Sequence, residues 1–304
     1  MTDLAVSPRM DSAFKQHRTL LRRKLDINQQ LKRRRCVSIG DLPIHTEFYA
    51  SHEEAPLLLF VPGIGTYSEL YAQLLSQLCD HGFNVVGVDL RGHGYSGGPR
   101  GQYRVEDVIQ DLQQVIDHYQ QSPDQPVYLY GYSIGALLSV AAAEADPRIQ
   151  AVACGTLLVP SLAPDMLHQV GWSWIWGSAM LMPGIALPMQ SFIDYEQLLA
   201  GHPAGEEINA DPLVVFDYPL GTLSSLFTWR LGCLQQRYPF QGLIIHGDRD
   251  EVLPLSYSER VQATLAHPFE LQKVAGEGHM LPWDRPGLLA RMISDWLKGT
   301  VTKA

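Results

Sequence analysis

Five consecutive residues, Gly131-Tyr132-Ser133-Ile134-Gly135, carry the strongest chemical signal in the chain. They follow the apolar run Val127–Tyr130 and open a small-residue helical stretch, Ile134–Glu144. A strand that turns sharply into a helix presents its tip residue, provided the backbone two positions either side is bare. Gly131 and Gly135 meet that need, so Ser133 is a candidate nucleophile. The plainer alternative is a glycine-rich turn whose serine only caps a helix. A serine hydroxyl unaided is a weak nucleophile; it needs a base, and the base needs a carboxylate to orient it.

Two later segments offer those partners. His246-Gly247-Asp248-Arg249-Asp250 ends the apolar run Gly242–His246, and Gly276-Glu277-Gly278-His279 follows the run Phe269–Val274. In this kind of turn the acid and the histidine come later in the chain, so the order Ser133, Asp250, His279 fits. Asp248 remains in reach by spacing. His279 would take the Ser133 proton and return it to the leaving group, with the carboxylate holding the imidazole tautomer. His93 and His246 read as packing residues, and His168 and His202 as residues that could line a pocket.

Charge developing on a carbonyl oxygen needs donors. The turn Pro62-Gly63-Ile64-Gly65 follows the apolar run Leu57–Val61, and the amides of Ile64 and Ile134 are the expected pair. Removing one such donor costs about 3–4 kcal/mol of transition-state stabilisation. A second glycine motif, Gly92-His93-Gly94-Tyr95-Ser96-Gly97, matches the dinucleotide fingerprint in letters. It does not open a helix, because Gly98, Pro99 and Gly101 prolong the loop, so no dinucleotide cofactor is expected. Asp248, Asp250 and Glu251 lack calcium-loop or zinc spacing, and no metal is expected either.

These residues must be carried by a scaffold. Strand-like runs at Leu57–Val61, Asn84–Leu90, Val127–Tyr130, Ala151–Leu158, Gly242–His246 and Phe269–Val274 alternate with helical periods, notably Val105–Tyr119. That alternation predicts an α/β fold with a mostly parallel, doubly wound sheet. The rhythm breaks from about Pro160 to Tyr238, too long for an ordinary loop. The expected organisation is an N-terminal arm (1–35), a core (36–159 and 239–304) and an inserted lid (160–238).

With 46% hydrophobic and 18% charged residues the chain has a globular balance. Residues 1–35 hold ten of the 23 Lys/Arg but only three of the 32 Asp/Glu, a basic arm on an acidic body. An acidic body disfavours nucleic acid as a partner. Four widely spaced cysteines without a C-x-x-C pair suggest a reducing, cytoplasmic setting. The opening residues show no apolar run of signal-peptide length.

The series VPGIG (Val61–Gly65), DLRGHGYSGG (Asp89–Gly98), GYSIG (Gly131–Gly135), HGDRDEVLP (His246–Pro254) and GEGHM (Gly276–Met280) resembles the α/β-hydrolase superfamily. Within it, the chain is similar to the branch of monoacylglycerol lipases, lysophospholipases and serine aminopeptidase-like hydrolases. The resemblance implies a Ser133, Asp250, His279 triad, since that branch places its acid three residues after the glycine of H-G-x-x-D. It also implies oxyanion amides at Ile64 and Ile134. Two positions depart: Pro62 and Tyr132 stand where the branch usually has histidine. Asp211-Pro212-Leu213 is similar to a segment late in that branch's lid.

Specificity is expected in the lid. Gln169–Ile193 has no charged residue, and its glycines and prolines at 171, 177, 183, 184 and 188 predict several short elements, not a membrane span. Trp172, Trp174 and Trp176 are the candidate substrate contacts, with Trp172 and Trp176 on one helix face. The expected function is hydrolysis of a carboxylic ester, lipid-like in character, through an acyl-serine. The alternatives are amide cleavage or acyl transfer on the same residues, or a non-catalytic ligand receptor on the same scaffold. The lid or the basic arm could also contact a membrane surface peripherally.

Overall fold

Every side chain of Leu57–Val61 and of Asn84–Val88 is buried, the pattern of strands covered on both faces. The computed structural model describes residues 12–191, 193–199 and 202–301. The first eleven residues of the basic arm, with Asp3, Arg9 and Asp11, lie outside them.

The described chain opens with α1 (Ser12–Lys24) and one turn, α2 (Asn28–Leu31), then forms a hairpin of β1 (Arg34–Ile39) and β2 (Ile44–Tyr49). Next come β3 (Leu57–Val61), α3 (Ala72–Asp80), β4 (Asn84–Val88), α4 (Val105–Tyr119), β5 (Val127–Tyr132), α5 (Ile134–Ala145) and β6 (Ile149–Gly155). The long insertion contains α6 (Met166–Leu181), β7 (Ala186–Pro188), α7 (Tyr195–Leu198), α8 (Gly205–Asn209), β8 (Asp217–Pro219) and α9 (Leu220–Phe227). The chain then returns through β9 (Gln241–Gly247), α10 (Leu255–Thr264), β10 (Phe269–Val274), α11 (Leu281–Asp284) and α12 (Pro286–Val301).

Eight strands make one sheet in the order β1-β2-β4-β3-β5-β6-β9-β10, parallel from β4 to β10, with β2 running antiparallel to both neighbours. Alternate residues serve opposite faces. Leu57, Leu59, Val61, Val127 and Leu129 pack with α4 and α5, while Leu58, Phe60, Tyr128 and Tyr130 pack with α3 and α12. The helical period over Val105–Tyr119 matches α4, whose first turn is capped by Asp107 accepting the Arg104 N–H at 3.0 Å. The parallel strands deliver the loops after β5, β6, β9 and β10 to one edge, with Tyr132 beside Gly155 and Gly247 beside Val274.

Three expectations need correction. The strands expected to reach Leu90 and Leu158 stop at Val88 and Gly155, because Asp89 turns its carboxylate back to the backbone and Thr156 takes φ 59°. Gly171 and Gly177 do not break the charge-free stretch; both lie inside the single helix α6. At 16 residues α6 is about 24 Å long, short of a bilayer's hydrocarbon core. No described helix is long and apolar enough to cross a membrane. Finally, β1 starts at Arg34, so the sheet begins within the stretch read as arm.

The charge of the arm is largely spent on the body. Arg18 pairs with Glu69 and Asp211, Arg22 and Arg34 with Glu69, Lys24 with Glu207, and Arg33 with Asp80. Leu21 of α1 is fully buried, so the helix is docked by an apolar contact as well as by charge.

Candidate active site

Ser133 sits between β5 and α5 with φ 54° and ψ −121°, a conformation that costs a non-glycine residue roughly 1–3 kcal/mol. The bare flanks are obligatory. A Cβ on Gly131 would lie 2.3 Å from the Gly135 carbonyl oxygen, and one on Gly135 would lie 2.3 Å from that of Val61. The Ser133 amide donates to Gly155 O at 2.8 Å, anchoring the turn to β6. Ser133 itself is half-buried.

After β9 the chain turns so that Asp250 faces back over the sheet edge. Its Oδ1 accepts the amides of Val252 and Leu253, each at 2.8 Å. Its Oδ2 accepts from His279 Nδ1 at 2.8 Å and from the Thr156 hydroxyl at 3.2 Å. Burial alone would raise the Asp250 carboxyl, yet the hydrogen bond and charge of His279 and the Leu253 amide hold it below the usual range. A carboxylate oxygen can only accept, so His279 Nδ1 carries the hydrogen of that bond. Asp248 is exposed and accepts the Gly276 amide at 2.7 Å, so it shapes the histidine loop and does not touch the imidazole. Gly247 lets the two loops meet, since a Cβ there would stand 2.2 Å from Glu277 O.

The Ser133 hydroxyl has no hydrogen bond to His279 among the described residues; such contacts commonly tighten only with substrate in place. Tyr132, immediately before Ser133, bridges the two elements. Its hydroxyl donates to His279 O at 3.0 Å, and its ring lies 5.3 Å from the imidazole. At the other side, a Cβ on Gly63 would lie 3.0 Å from the Tyr132 ring and 3.6 Å from Ser133 Cβ, so the turn after β3 abuts Ser133. The amides of Ile64 and Ile134 have no acceptor among the described residues.

His246 lies in the β9 core as expected, donating from Nε2 to Leu253 O at 2.9 Å with Nδ1 against the Ser258 hydroxyl at 2.7 Å. Burial pushes its pKa down. His168 pairs with Asp165 at the start of α6, and His202 stands in the insertion. The glycine-rich loop after β4 stays non-helical until Val105. His93, read from sequence as packing, is fully buried and its Nε2 meets Tyr218 at 2.6 Å. No motif flagged Tyr195 or Tyr218, both of which reach the turn after β3.

The three tryptophans do not converge on His279. Trp172 stacks on Phe227 at 5.2 Å and, with Trp176, lines a cavity of about 680 Å³ beside α6. Trp174 is 57% exposed. The cavity lined by His279, Tyr132 and Thr156 measures about 10 Å³, at the threshold for one water. Among the described residues, Cys36, His45 and Glu47 on β1 and β2 bring three donor atoms within 4.8 Å of one another, away from Asp250 and His279. Arg34 already pairs with Glu47 there, which opposes a cation.

Residues 52–286 match the family described as Serine aminopeptidase, S33. A monoglyceride lipase homolog of Monkeypox virus is 34% identical over 99 residues, covering 30% of this chain and 34% of that protein. An uncharacterized abhydrolase domain-containing protein of Dictyostelium discoideum is 32% identical over 81 residues, 26% of this chain and 8% of that protein. The chain thus spans about a third or less of these relatives. The structure of Paleococcus ferrophilus monoacylglycerol lipase superposes with a TM-score of 0.67 at 23% identity, covering 84% of this chain and 98% of that one. A soluble variant of Saccharomyces cerevisiae monoglyceride lipase, solved with a substrate analog, gives 0.71 at 16% identity, covering 86% and 94%. Those likenesses establish a shared α/β-hydrolase fold. On the match to most of its length, the chain belongs to the Serine aminopeptidase, S33 family of α/β hydrolases.

Proposed function

We propose that this hydrolase cleaves carboxylic esters of lipid-like acyl chains, such as a monoacylglycerol or lysophospholipid, through an acyl-Ser133 intermediate. The observation that carries the reading is the Asp250–His279 hydrogen bond of 2.8 Å beside a serine held at positive φ. Ser133 Oγ adds to the ester carbon while its proton passes to His279 Nε2. The carbonyl oxygen, now an oxyanion, is held by the Ile64 and Ile134 amides. Collapse re-forms the carbonyl and breaks the bond to the alcohol, which leaves with the proton from His279. Water then repeats the addition, releasing the fatty acid and restoring Ser133.

The lipid preference rests on the insertion, which acts as the lid. The outer face of α6 exposes Met166, Leu167, Val170, Trp174, Met180 and Leu181, with Ile175 and Ala179 buried on the opposite face. An uncharged, contiguous apolar surface of this kind fits a membrane or micelle interface. Because most described basic residues of the arm are paired internally, the lid is the better candidate for peripheral membrane contact. Hydrolysis rates for p-nitrophenyl esters from C2 to C16 test the substrate class. The expected optimum lies at medium or long chains, and a sharp optimum at acetate would contradict it.

A further inference from the structure

The turn Pro62–Gly65 is held mainly by the insertion, not by the sheet that carries Ser133. Gly63 O is satisfied within the core, by the Thr66 amide at 3.2 Å and the Thr66 hydroxyl at 2.9 Å. The next peptide plane is gripped at both ends from outside. Tyr195 of α7 donates its hydroxyl proton to Ile64 O at 2.9 Å, and the Gly65 amide donates to the Tyr218 hydroxyl oxygen at 2.7 Å. Gly65 O then accepts the Val215 amide at 2.9 Å. The Ile64 amide itself has no acceptor among the described residues.

Tyr218 has one proton to give, and its surroundings dictate where it goes. His93 Nδ1 lies 3.0 Å from Arg91 O, which can only accept, so Nδ1 bears the hydrogen. Burial pushes His93 down to about 4, so the ring is neutral in ordinary buffers and Nε2 is an acceptor. The Tyr218 hydroxyl donates to that Nε2 at 2.6 Å, which turns its lone pairs toward the Gly65 amide. The contact is built into the backbone as well. Gly65 (φ 75°) and Gly101 (φ 67°) flank the approaching chain, and a Cβ would come within 2.4 Å of Val215 O and 2.5 Å of Asp217 O respectively. Tyr195, Tyr218 and His93 are all buried.

The geometry points to Tyr218, oriented by His93, and Tyr195 as positioning residues that set the Ile64 amide for the oxyanion, so that the docked insertion completes the catalytic site. The inference rests on the serine-hydrolase reading above. It makes the insertion part of the chemistry: without the segment around β8 the turn would lose two of its hydrogen bonds, without α7 a third, and the oxyanion donor would lose its aim.

The test uses the full chain and a soluble ester, with Ser133→Ala as reference, and the variants Tyr218→Phe, Tyr195→Phe and His93→Phe. Expected is a fall in kcat of about 10–100-fold for Tyr218→Phe, short of the full loss of a donor, with KM changed less than about threefold. A trifluoromethyl ketone adds a second readout, since Ser133 Oγ adds to its carbonyl carbon, the proton passes to His279 and the oxygen becomes an oxyanion. Its inhibition constant should weaken in step with kcat, whereas a non-hydrolysable ether analogue should bind unchanged. A purely structural role would move both inhibitors or neither. Should Tyr218→Phe fail to fold by its melting curve, Tyr195→Phe, which removes only the Ile64 O contact, carries the same test. Full activity in Ser133→Ala would overturn the hydrolase reading and this inference with it. A dead Ser133→Ala beside Tyr218→Phe and Tyr195→Phe at wild-type kcat would overturn this inference alone.

Discussion

Asp250 Oδ2 and His279 Nδ1 stand 2.8 Å apart, whereas Asp248, two residues earlier on the same loop, gives its carboxylate to the Gly276 amide. The same turn thus separates a carboxylate that holds the His279 imidazole from one that shapes the His279 loop.

Asp250→Asn should lower kcat by about 10⁴-fold, because an amide favours the wrong imidazole tautomer while preserving shape. Asp248→Asn should stay within about tenfold of wild type, since an amide oxygen still accepts the Gly276 N–H. Steady-state rates on one ester decide it. Equal losses in the two variants would contradict the assignment.

Arg18 is buried between Glu69 and Asp211, each with a fully buried side chain, and also reaches Tyr67. Arg18→Ala would leave buried Asp211 without its ion-pair partner and take one of three arginines from Glu69, and should destabilise the fold by about 3–5 kcal/mol. Urea denaturation measures this. A loss below about 1 kcal/mol would mean that α1 is not tied to the body through this cluster.

The same cluster predicts an acid transition. Burial would raise the Glu69 carboxyl, but the Arg22 hydrogen bond and the charges of Arg18 and Arg34 hold it at about 2, below its unfolded value of 4.5. A depressed folded value means that the ionised group stabilises the fold fully above about pH 4.5 and that this contribution is lost as pH falls through about 2. Glu69→Gln should therefore flatten the stability profile between those limits. An unchanged slope in that variant would count against the pairing.

Gly171 and Gly177 lie in α6 with open space where a Cβ would go, and neither has positive φ. Gly171→Ala and Gly177→Ala should each stabilise the protein by roughly 0.5–1 kcal/mol through helix propensity. Melting temperatures that fall instead would show that α6 needs its glycines for a contact absent from this structure.

Much of this was legible in the sequence, for physical reasons that also explain the gaps. The strand β3 and the helix α4 announce themselves because burial on two faces, or on one helical stripe, leaves an unambiguous pattern. Ser133 was legible because an elbow this tight excludes any side chain at 131 and 135. The hairpin of β1 and β2 was hidden: RRCVSI opens with Arg34, whose charge pairs with Glu47 and Glu69 instead of signalling a loop. Arg18 was hidden likewise, since its burial depends on carboxylates from two distant segments. Gly171 and Gly177 misled because a tertiary contact, the packing of α6 on α9 with Ile175 and Ala179 buried, outweighs two weak helix formers. The grip of Tyr195 and Tyr218 on Ile64 and Gly65 joins residues 131 and 153 positions apart, with no local pattern to mark it.

The central claim is that Ser133 becomes covalently reactive toward acyl-like electrophiles through His279. A fluorophosphonate probe, followed by mass spectrometry of the labelled peptide, tests it directly. The account predicts a single adduct on Ser133 that disappears in Ser133→Ala and is strongly slowed in His279→Ala. No labelling of the folded native chain, or an adduct on another residue that persists in Ser133→Ala, would contradict it.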